Sequence, residues 1–362
     1  MRRTASIDKV LASAVSGQQI AGLVAAAADE HGVIYHSAFG RRDLSGPQRM
    51  TTDSVFRIAS MTKAITAVAA MQLTEQGKLS LDQPAKEILP LLADTKVLLG
   101  FDSHDNPILR APRTQITLRN LLTHTAGFVY DTWNEEMNRY SRITGLPAAR
   151  TGKLAALSAP LNFDPGERWE YGINIDMAGR MVELVSGLDL ETYMQRHIFA
   201  PLGMTDTSFK PTPEQCARLM VGSGLGGPLP CSDTHATDGS GGLYSTGNDM
   251  ARWLRHNLDD VDGALALSHA VYRPRQSMPA VIGFDEAGSM AGLGLGWVML
   301  VAQGAQPAML TKSGGGAGFM TYMAFAPGQG VGVFIAASRV DFPMFAILTD
   351  TANKLIASLV PR

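Results

Sequence analysis

Two apolar runs folded about a turn stand at each end of the 362-residue chain, and that arrangement narrows the folds open to it. Near the start, Gly22 to Ala28 leads into the turn Asp29-Glu30-His31-Gly32 and on to Val33 through Gly40. Near the end, Met320 to Phe325 and Val331 to Ala336 flank Ala326-Pro327-Gly328-Gln329-Gly330. Apolar runs about a glycine-containing turn predict a hairpin. The stretch between them reads mostly as helix. Ala64 to Gln76 stops at Gly77, and Met177 to Ser186 stops at Gly187, both plausible C-terminal caps. Leu190 to Ile198 follows the N-cap candidate Asp189, and Asp249 to Leu258 follows Asn248. A first helix is expected from Ser6 to about Ser16, and a closing helix from Met344 to Leu359. Strands from both termini with helices between predict an α+β fold, in which one antiparallel sheet built from both chain ends is flanked by helices and carries a mostly helical insert. The expected division assigns residues 1–75 and 240–362 to a discontinuous α/β sheet domain and residues 76–239 to the mainly helical one.

Nearly half the residues are apolar, enough for a sizeable core. The formal charge of -2 comes without the basic stripe that a nucleic-acid partner requires. No run is long and apolar enough to predict a membrane span. The start, Met1-Arg2-Arg3-Thr4, is charged but has no apolar run behind it, and the short run Ile20 to Ala28 is broken by Gly22. It reads as a core strand rather than a signal segment. A cytoplasmic location is expected, or a periplasmic one if a leader has been removed. Cys216 and Cys231 are then expected as two free thiols, with a disulfide as the alternative. Neither Cys-x-x-Cys nor His-Glu-x-x-His occurs, so neither metal nor cofactor is expected.

The chemistry centres on Ser60-Met61-Thr62-Lys63. A serine and a lysine three apart share one helix face. A serine in the first turn also feels the positive helix end and its unpaired N–H groups. An amine beside a hydroxyl makes a candidate nucleophile. The same spacing recurs in Ser6-Ile7-Asp8-Lys9, which reads as a capped first helix, so spacing alone is weak and context must carry the assignment. Tyr171 follows the turn Pro165-Gly166, and Lys312-Ser313-Gly314-Gly315 follows on a strand pattern. A tyrosine ionises at about pH 10 and needs nearby cations to act as a base at neutral pH. Lys63 and Lys312 are the two available. A phosphate-binding loop needs its glycines before the lysine, whereas here they come after Lys312. No Gly-x-Ser-x-Gly nucleophile elbow occurs, and Ser232-Asp233-Thr234 only faintly echoes Ser-Asp-Asn. His124 is expected to be structural, and His235, near Asp233 and Asp238, stays outside the catalytic set.

A Ser-x-x-Lys, then a tyrosine, then Lys-Ser-Gly in this order resembles the serine β-lactamase and penicillin-binding superfamily. It is most similar to the class C branch, which also holds the family VIII carboxylesterases and D-amino-acid peptidases. The segments Thr117 to Gly127, Ile198 to Met204 and Gly239 to Thr246 extend the resemblance over most of the chain. It implies a β-lactamase/DD-peptidase-like fold with the active site at the seam of the two domains. It further implies that Ser60 is acylated, Lys63 assists proton transfer and Tyr171 is the general base. Lys312 would hold Tyr171 electrostatically, and Ser313 of Lys312-Ser313-Gly314 would bind substrate. The backbone amides of Ser60 and Gly315 would form the oxyanion hole.

The chain departs from the class C pattern at Tyr-x-Asn, where Ile173 holds the third position and Asn174 lies one further on. Tyr171 to Gly179 instead resembles the esterase pattern Tyr-Ser-x-x-x-Asp-x-x-Gly, with Asp176 and Gly179 in place and Gly172 for the serine. Esters carry better leaving groups than unstrained amides. The expectation is a serine carboxylesterase hydrolysing a small-molecule, short-chain ester through an acyl-enzyme on Ser60. The alternatives are a β-lactamase or D-alanyl peptidase, and a penicillin-binding or small-molecule-binding protein without turnover. Tyr130, Trp133, Met137 and Tyr140 are candidates for a pocket edge, or for packing within their own loop.

Overall fold

Period-two alternation along the strands divides the core into two layers. The computed structural model describes residues 2–17, 20–224, 227–234, 238–259, 263–278, 281–282, 290–302 and 308–360. Strands β1 (Gly22–Asp29) and β2 (Gly32–Gly40) form the first hairpin. The main sheet is completed by β3 (Arg273–Pro274), β4 (Met290–Leu293), β5 (Val298–Leu300), β6 (Met309–Gly316), β7 (Phe319–Ala326) and β8 (Val331–Ala337). Its order is β2-β1-β8-β7-β6-β5-β4-β3, with every neighbour antiparallel. The two chain ends meet where Leu23 lies opposite Ala337 and Asp29 opposite Val331. The protein is α+β, as the terminal hairpins predict.

Leu23, Ala25 and Ala27 of β1 and Val333 and Ile335 of β8 face one way. They pack with α1 (Arg2–Gly17), through Ile7 and Leu11, and with the closing helix Phe342–Leu359, through Met344, Leu348 and Ile356. Val24, Phe325 and Phe334 face the other way, into the layer that holds α2 (Thr62–Glu75). Every residue of α2 from Thr62 to Met71 is buried. A helix enclosed on all sides is a central one, and the Ser60 turn enters it directly.

Several boundaries differ from the sequence expectations. Helix α1 starts at Arg2, so Ser6 lies within the helix rather than at its cap. The helix expected after Asn248 spans Gly247–His256 and is capped by Thr246, whose hydroxyl accepts from the Asp249 amide at 3.2 Å. Both residue types cap well, and the one whose side chain faces the third helical amide takes the role. Asp189 does cap its helix, accepting from the Thr192 amide at 2.8 Å, but that helix passes into a π-helical turn at Gln195–Phe199. Cys216 and Cys231 are joined as a disulfide, in place of the expected free thiols, with Cα atoms 5.7 Å apart, a separation that suits the bridge. Part of the glycine-rich loop Gly222 to Gly227, at 225–226, lies outside the described residues, as does His235. Ser223–Gly224 of that loop pairs in parallel with Arg339–Val340. Among the described residues no helix is long and apolar enough to cross a membrane.

Candidate active site

Ser60 sits in a single 3-10 turn, Ala59–Met61, that runs into α2. Ala59 holds φ +46°, a left-handed conformation that side chains disfavour. Such strain persists where the surroundings over-determine it, and here β6 and β7 do so. Thr321 Oγ1 lies 3.2 Å from both the Ile58 and the Gly314 carbonyl oxygens, and its single proton is shared between them. A Cβ on Gly314 would stand 2.1 Å from the Ile58 oxygen. Only glycine lets the strand come this close to the serine turn. The segments carrying the two expected oxyanion amides, Ser60 and Gly315, are therefore in direct contact. Ser60 is half-buried and Gly315 exposed, so this edge opens outward.

Lys63, on the first turn of α2, is wholly enclosed. Its Nζ donates to Ser60 Oγ at 3.1 Å, to Tyr130 OH at 3.2 Å and to the Ser240 carbonyl at 2.7 Å. An ammonium carries three donors, and the Tyr171 hydroxyl shares them with these acceptors. Burial works against its charge, but the phenols of Tyr130 and Tyr171 and the Asp176 carboxyl outweigh it and hold the ammonium above the usual lysine range.

Tyr171 lies between the short strand Trp169–Glu170 and helix Asn174–Ser186. Lys312 Nζ donates to its hydroxyl at 3.5 Å, and Lys63 Nζ stands 4.8 Å from its ring centre. Burial pushes the phenol up. The Lys312 and Lys63 charges, with hydrogen bonds to Ser60 and Lys63, outweigh it and bring the phenol down to about 8. Tyr130, its ring 5.7 Å away, is instead driven well above the usual tyrosine range by burial. Two phenols thus touch the same lysine, and the one that also meets Lys312 is the acidic one. The His124 ring packs 4.6 Å from Tyr171. Burial, Lys63 and Lys312 keep it neutral far below its ordinary value, which fits a structural part.

Three neighbours of Lys63 had no catalytic role among the sequence expectations. Ser240 supplies a carbonyl, an acceptor every residue type carries, so no side-chain pattern marks it. Its amide donates to Asp176 Oδ1 at 2.9 Å, and its hydroxyl lies 3.3 Å from Tyr130 OH. Asp176 is visible in the sequence only as a spacing match to the esterase pattern. Burial and the neighbouring Asp238 raise its carboxyl to about 7. Tyr130 comes from a loop 67 residues beyond Lys63, and nothing local distinguishes it from a packing aromatic.

The departures at Tyr171 also find physical reasons. The Asn174 amide donates to the Phe128 carbonyl at 2.9 Å and lies 3.3 Å from His124 Nδ1. Asn174 thus braces the loop beneath Tyr171, while Ser240 and Tyr130 orient the lysine. A Cβ on Gly172 would lie 2.2 Å from the Phe128 oxygen, which accounts for glycine in the serine position. Ser313 and Lys312 line a cavity with Tyr171, His124, Trp169 and Trp297. Of the four pocket-edge candidates, Tyr130 reaches Lys63, Trp133 stands exposed beside Tyr171, Met137 is buried in the core and Tyr140 packs against it. The Ser232-Asp233-Thr234 stretch shapes its own loop, with the Ser232 carbonyl accepting from Tyr244 OH at 3.0 Å and Thr234 Oγ1 donating to the Phe209 carbonyl at 3.1 Å.

The Beta-lactamase family model matches residues 7–358. The D-alanyl-D-alanine-carboxypeptidase/endopeptidase AmpH of Escherichia coli strain K12 is 31% identical over 359 residues, covering 98% of this chain and 88% of that protein. The lovastatin esterase of Penicillium rubens is 37% identical over 286 residues, covering 73% of this chain and 71% of that protein. Among solved structures, unliganded simvastatin synthase (LovD) from Aspergillus terreus superposes with a TM-score of 0.83 at 29% identity, covering 99% of this chain and 98% of that one. The chain belongs to the Beta-lactamase family, within the superfamily of serine hydrolases and related acyl-transfer enzymes.

Proposed function

We propose that the protein is a serine carboxylesterase that cleaves short-chain esters through an acyl-enzyme on Ser60. The observation that carries this reading is the setting of Tyr171, a buried phenol held between the Lys63 and Lys312 ammonium groups and brought down to about 8. As Ser60 Oγ attacks the ester carbonyl, its proton passes to the Tyr171 phenolate. The tetrahedral oxyanion is met by the Ser60 and Gly315 amides. Tyr171 then returns the proton to the departing alkoxide, and the alcohol leaves. Water repeats the sequence: Tyr171 takes a proton from it, the hydroxyl adds to the acyl carbon, and Ser60 Oγ leaves with the proton from Tyr171. Lys63 stays charged throughout. The two-part division at residues 1–75 with 240–362, and 76–239, belongs to the same reading. It is supported by Tyr130 and Tyr171 coming from the second part and Ser60, Lys63, Ser240 and Lys312 from the first.

The esterase reading gains support from Asn174, which faces Phe128 and His124 rather than the lysine. A D-alanyl peptidase or β-lactamase is the second reading, supported by likeness to AmpH across 98% of this chain. The disulfide favours an oxidising compartment such as the periplasm over the cytoplasm. Turnover of p-nitrophenyl butyrate beside nitrocefin separates the two enzymatic readings. Ser60→Ala is expected to abolish ester turnover, and mass spectrometry of the wild type is expected to find the acyl group on Ser60. A Ser60→Ala variant of near-full activity overturns the mechanism.

A further inference from the structure

The chain has four tryptophans. Trp169, Trp253 and Trp297 are at most 1% exposed, whereas Trp133 is 55% exposed. A lone exposed apolar side chain needs no explanation by itself. Trp133 differs in where it stands and how it is held. Its ring meets Tyr171 nearly edge-to-face, with centres 6.2 Å apart at 78°, and lies 5.9 Å from Tyr130. The next residue, Asn134, caps the helix Glu135–Thr144 by accepting from the Met137 amide at 2.9 Å. The Asn134 amide group also donates to Glu170 Oε1 at 2.9 Å, and Arg168 holds Glu170 at 3.0 Å. Glu170 directly precedes Tyr171. The indole is therefore tied through two residues to the backbone that carries the phenol.

We infer that Trp133 walls a leaving-group subsite and favours esters of large, flat, apolar alcohols. The inference rests on the esterase reading, in which Tyr171 returns its proton to the departing alkoxide. A proton donor must lie within about 3 Å of the oxygen it serves. The alcohol skeleton begins at that oxygen, so it starts beside Tyr171. Around that phenol, His124, Trp169 and Lys312 are buried. Trp133 is the exposed aromatic at its side, and a fused-ring or aryl alcohol running from Tyr171 toward solvent covers the indole. Aromatic contact of this kind adds to the gain from removing apolar surface from water. The acyl chain hangs on the carbonyl carbon, on the far side of the scissile bond, and does not share the contact. Because the loop is pinned, the wall needs no ordering when the substrate arrives.

Two ester series and one binding measurement test this. Trp133→Ala is expected to raise KM for 2-indanyl acetate by about tenfold. Ethyl acetate should show less than about a twofold change in KM, because its alcohol is too small to reach the indole. Trp133→Phe should fall between. Phenyl esters of growing acyl length should all respond to Trp133→Ala by the same factor. An equal effect on ethyl and indanyl esters, an effect that tracks acyl length, or a fall in kcat with KM unmoved overturns the subsite. In Ser60→Ala, 2-indanol should shield the exposed tryptophan from acrylamide quenching, because the other three are already enclosed. Unchanged quenching overturns the subsite whether or not esters are hydrolysed. Shielding without ester turnover in the wild type overturns the esterase reading and leaves the alcohol site standing.

Discussion

Asp176 Oδ1 accepts a 2.9 Å hydrogen bond from the amide of Ser240, 64 residues further along the chain. The carbonyl of the same serine lies 2.7 Å from Lys63 Nζ. A carboxyl on one helix thus holds the residue whose carbonyl positions the lysine on another. The contact is buried, where an unmet amide is costly.

Asp176→Ala leaves the Ser240 amide without its acceptor and loosens the carbonyl that orients Lys63. The expected loss in kcat is about 10- to 100-fold, the size of one buried hydrogen bond in a charged network. Asp176→Asn keeps an acceptor oxygen and should recover most of it. Steady-state kinetics of both variants, with melting curves as controls, decide the matter. If both fall equally, the charge of Asp176 matters rather than its hydrogen bond.

Tyr171 should set the acidic limb of the pH profile. Its folded value of about 8 is below the ordinary phenol, and the reactive form is the phenolate. Below that value kcat/KM should climb by about tenfold per pH unit, then level off. Tyr171→Phe should lower the rate by about 100- to 10,000-fold and remove this limb. A flat profile from pH 6 to 9 in the wild type would exclude the phenol as base.

Gly172→Ser brings in the side chain usual in the esterase pattern. Here its Cβ meets the Phe128 oxygen at 2.2 Å and Val129 Cα at 2.5 Å. Backbone must move, so a loss of about 2 kcal/mol or more in stability is expected. The shift lands on the residue next to Tyr171, so kcat should fall as well. Urea unfolding and ester kinetics on the purified variant measure both.

Cys231→Ser opens a bridge that spans 15 residues. Closing a loop of this length restricts the unfolded chain by about 3 kcal/mol. The variant, and the reduced wild type, should melt at lower temperature. Turnover at 25 °C should change by less than about twofold, since the hydrogen bonds that set Lys63 and Tyr171 run to Ser60, Tyr130, Ser240 and Lys312 rather than to the bridge. Equal melting temperatures with and without reductant would show that the bridge carries no stability.

The sequence by itself marked the two hairpins at the centre of the sheet and the candidate reacting groups. Continuous apolar runs at both ends leave β1 and β8 few ways to bury both faces except side by side, and Ser60 and Lys63 share a helix face because three residues make nearly one turn. It also marked Tyr171 and Lys312 by residue type, since a phenol needs cations to lose its proton near neutrality. The tertiary structure alone decided which of two phenols is the acidic one. Tyr130 and Tyr171 both reach Lys63, but Tyr171 also meets Lys312 across 141 residues of chain. It alone brought Ser240 and Asp176 to the lysine, because a carbonyl acceptor has no local signature and Asp176 shows in the sequence only as a spacing match. It decided the glycine at 172 too, where the space is set by the Phe128 backbone rather than by any neighbour in sequence. Local patterns act over one or two turns, whereas the electrostatics of a buried site depend on distances between segments that only the packed core brings together.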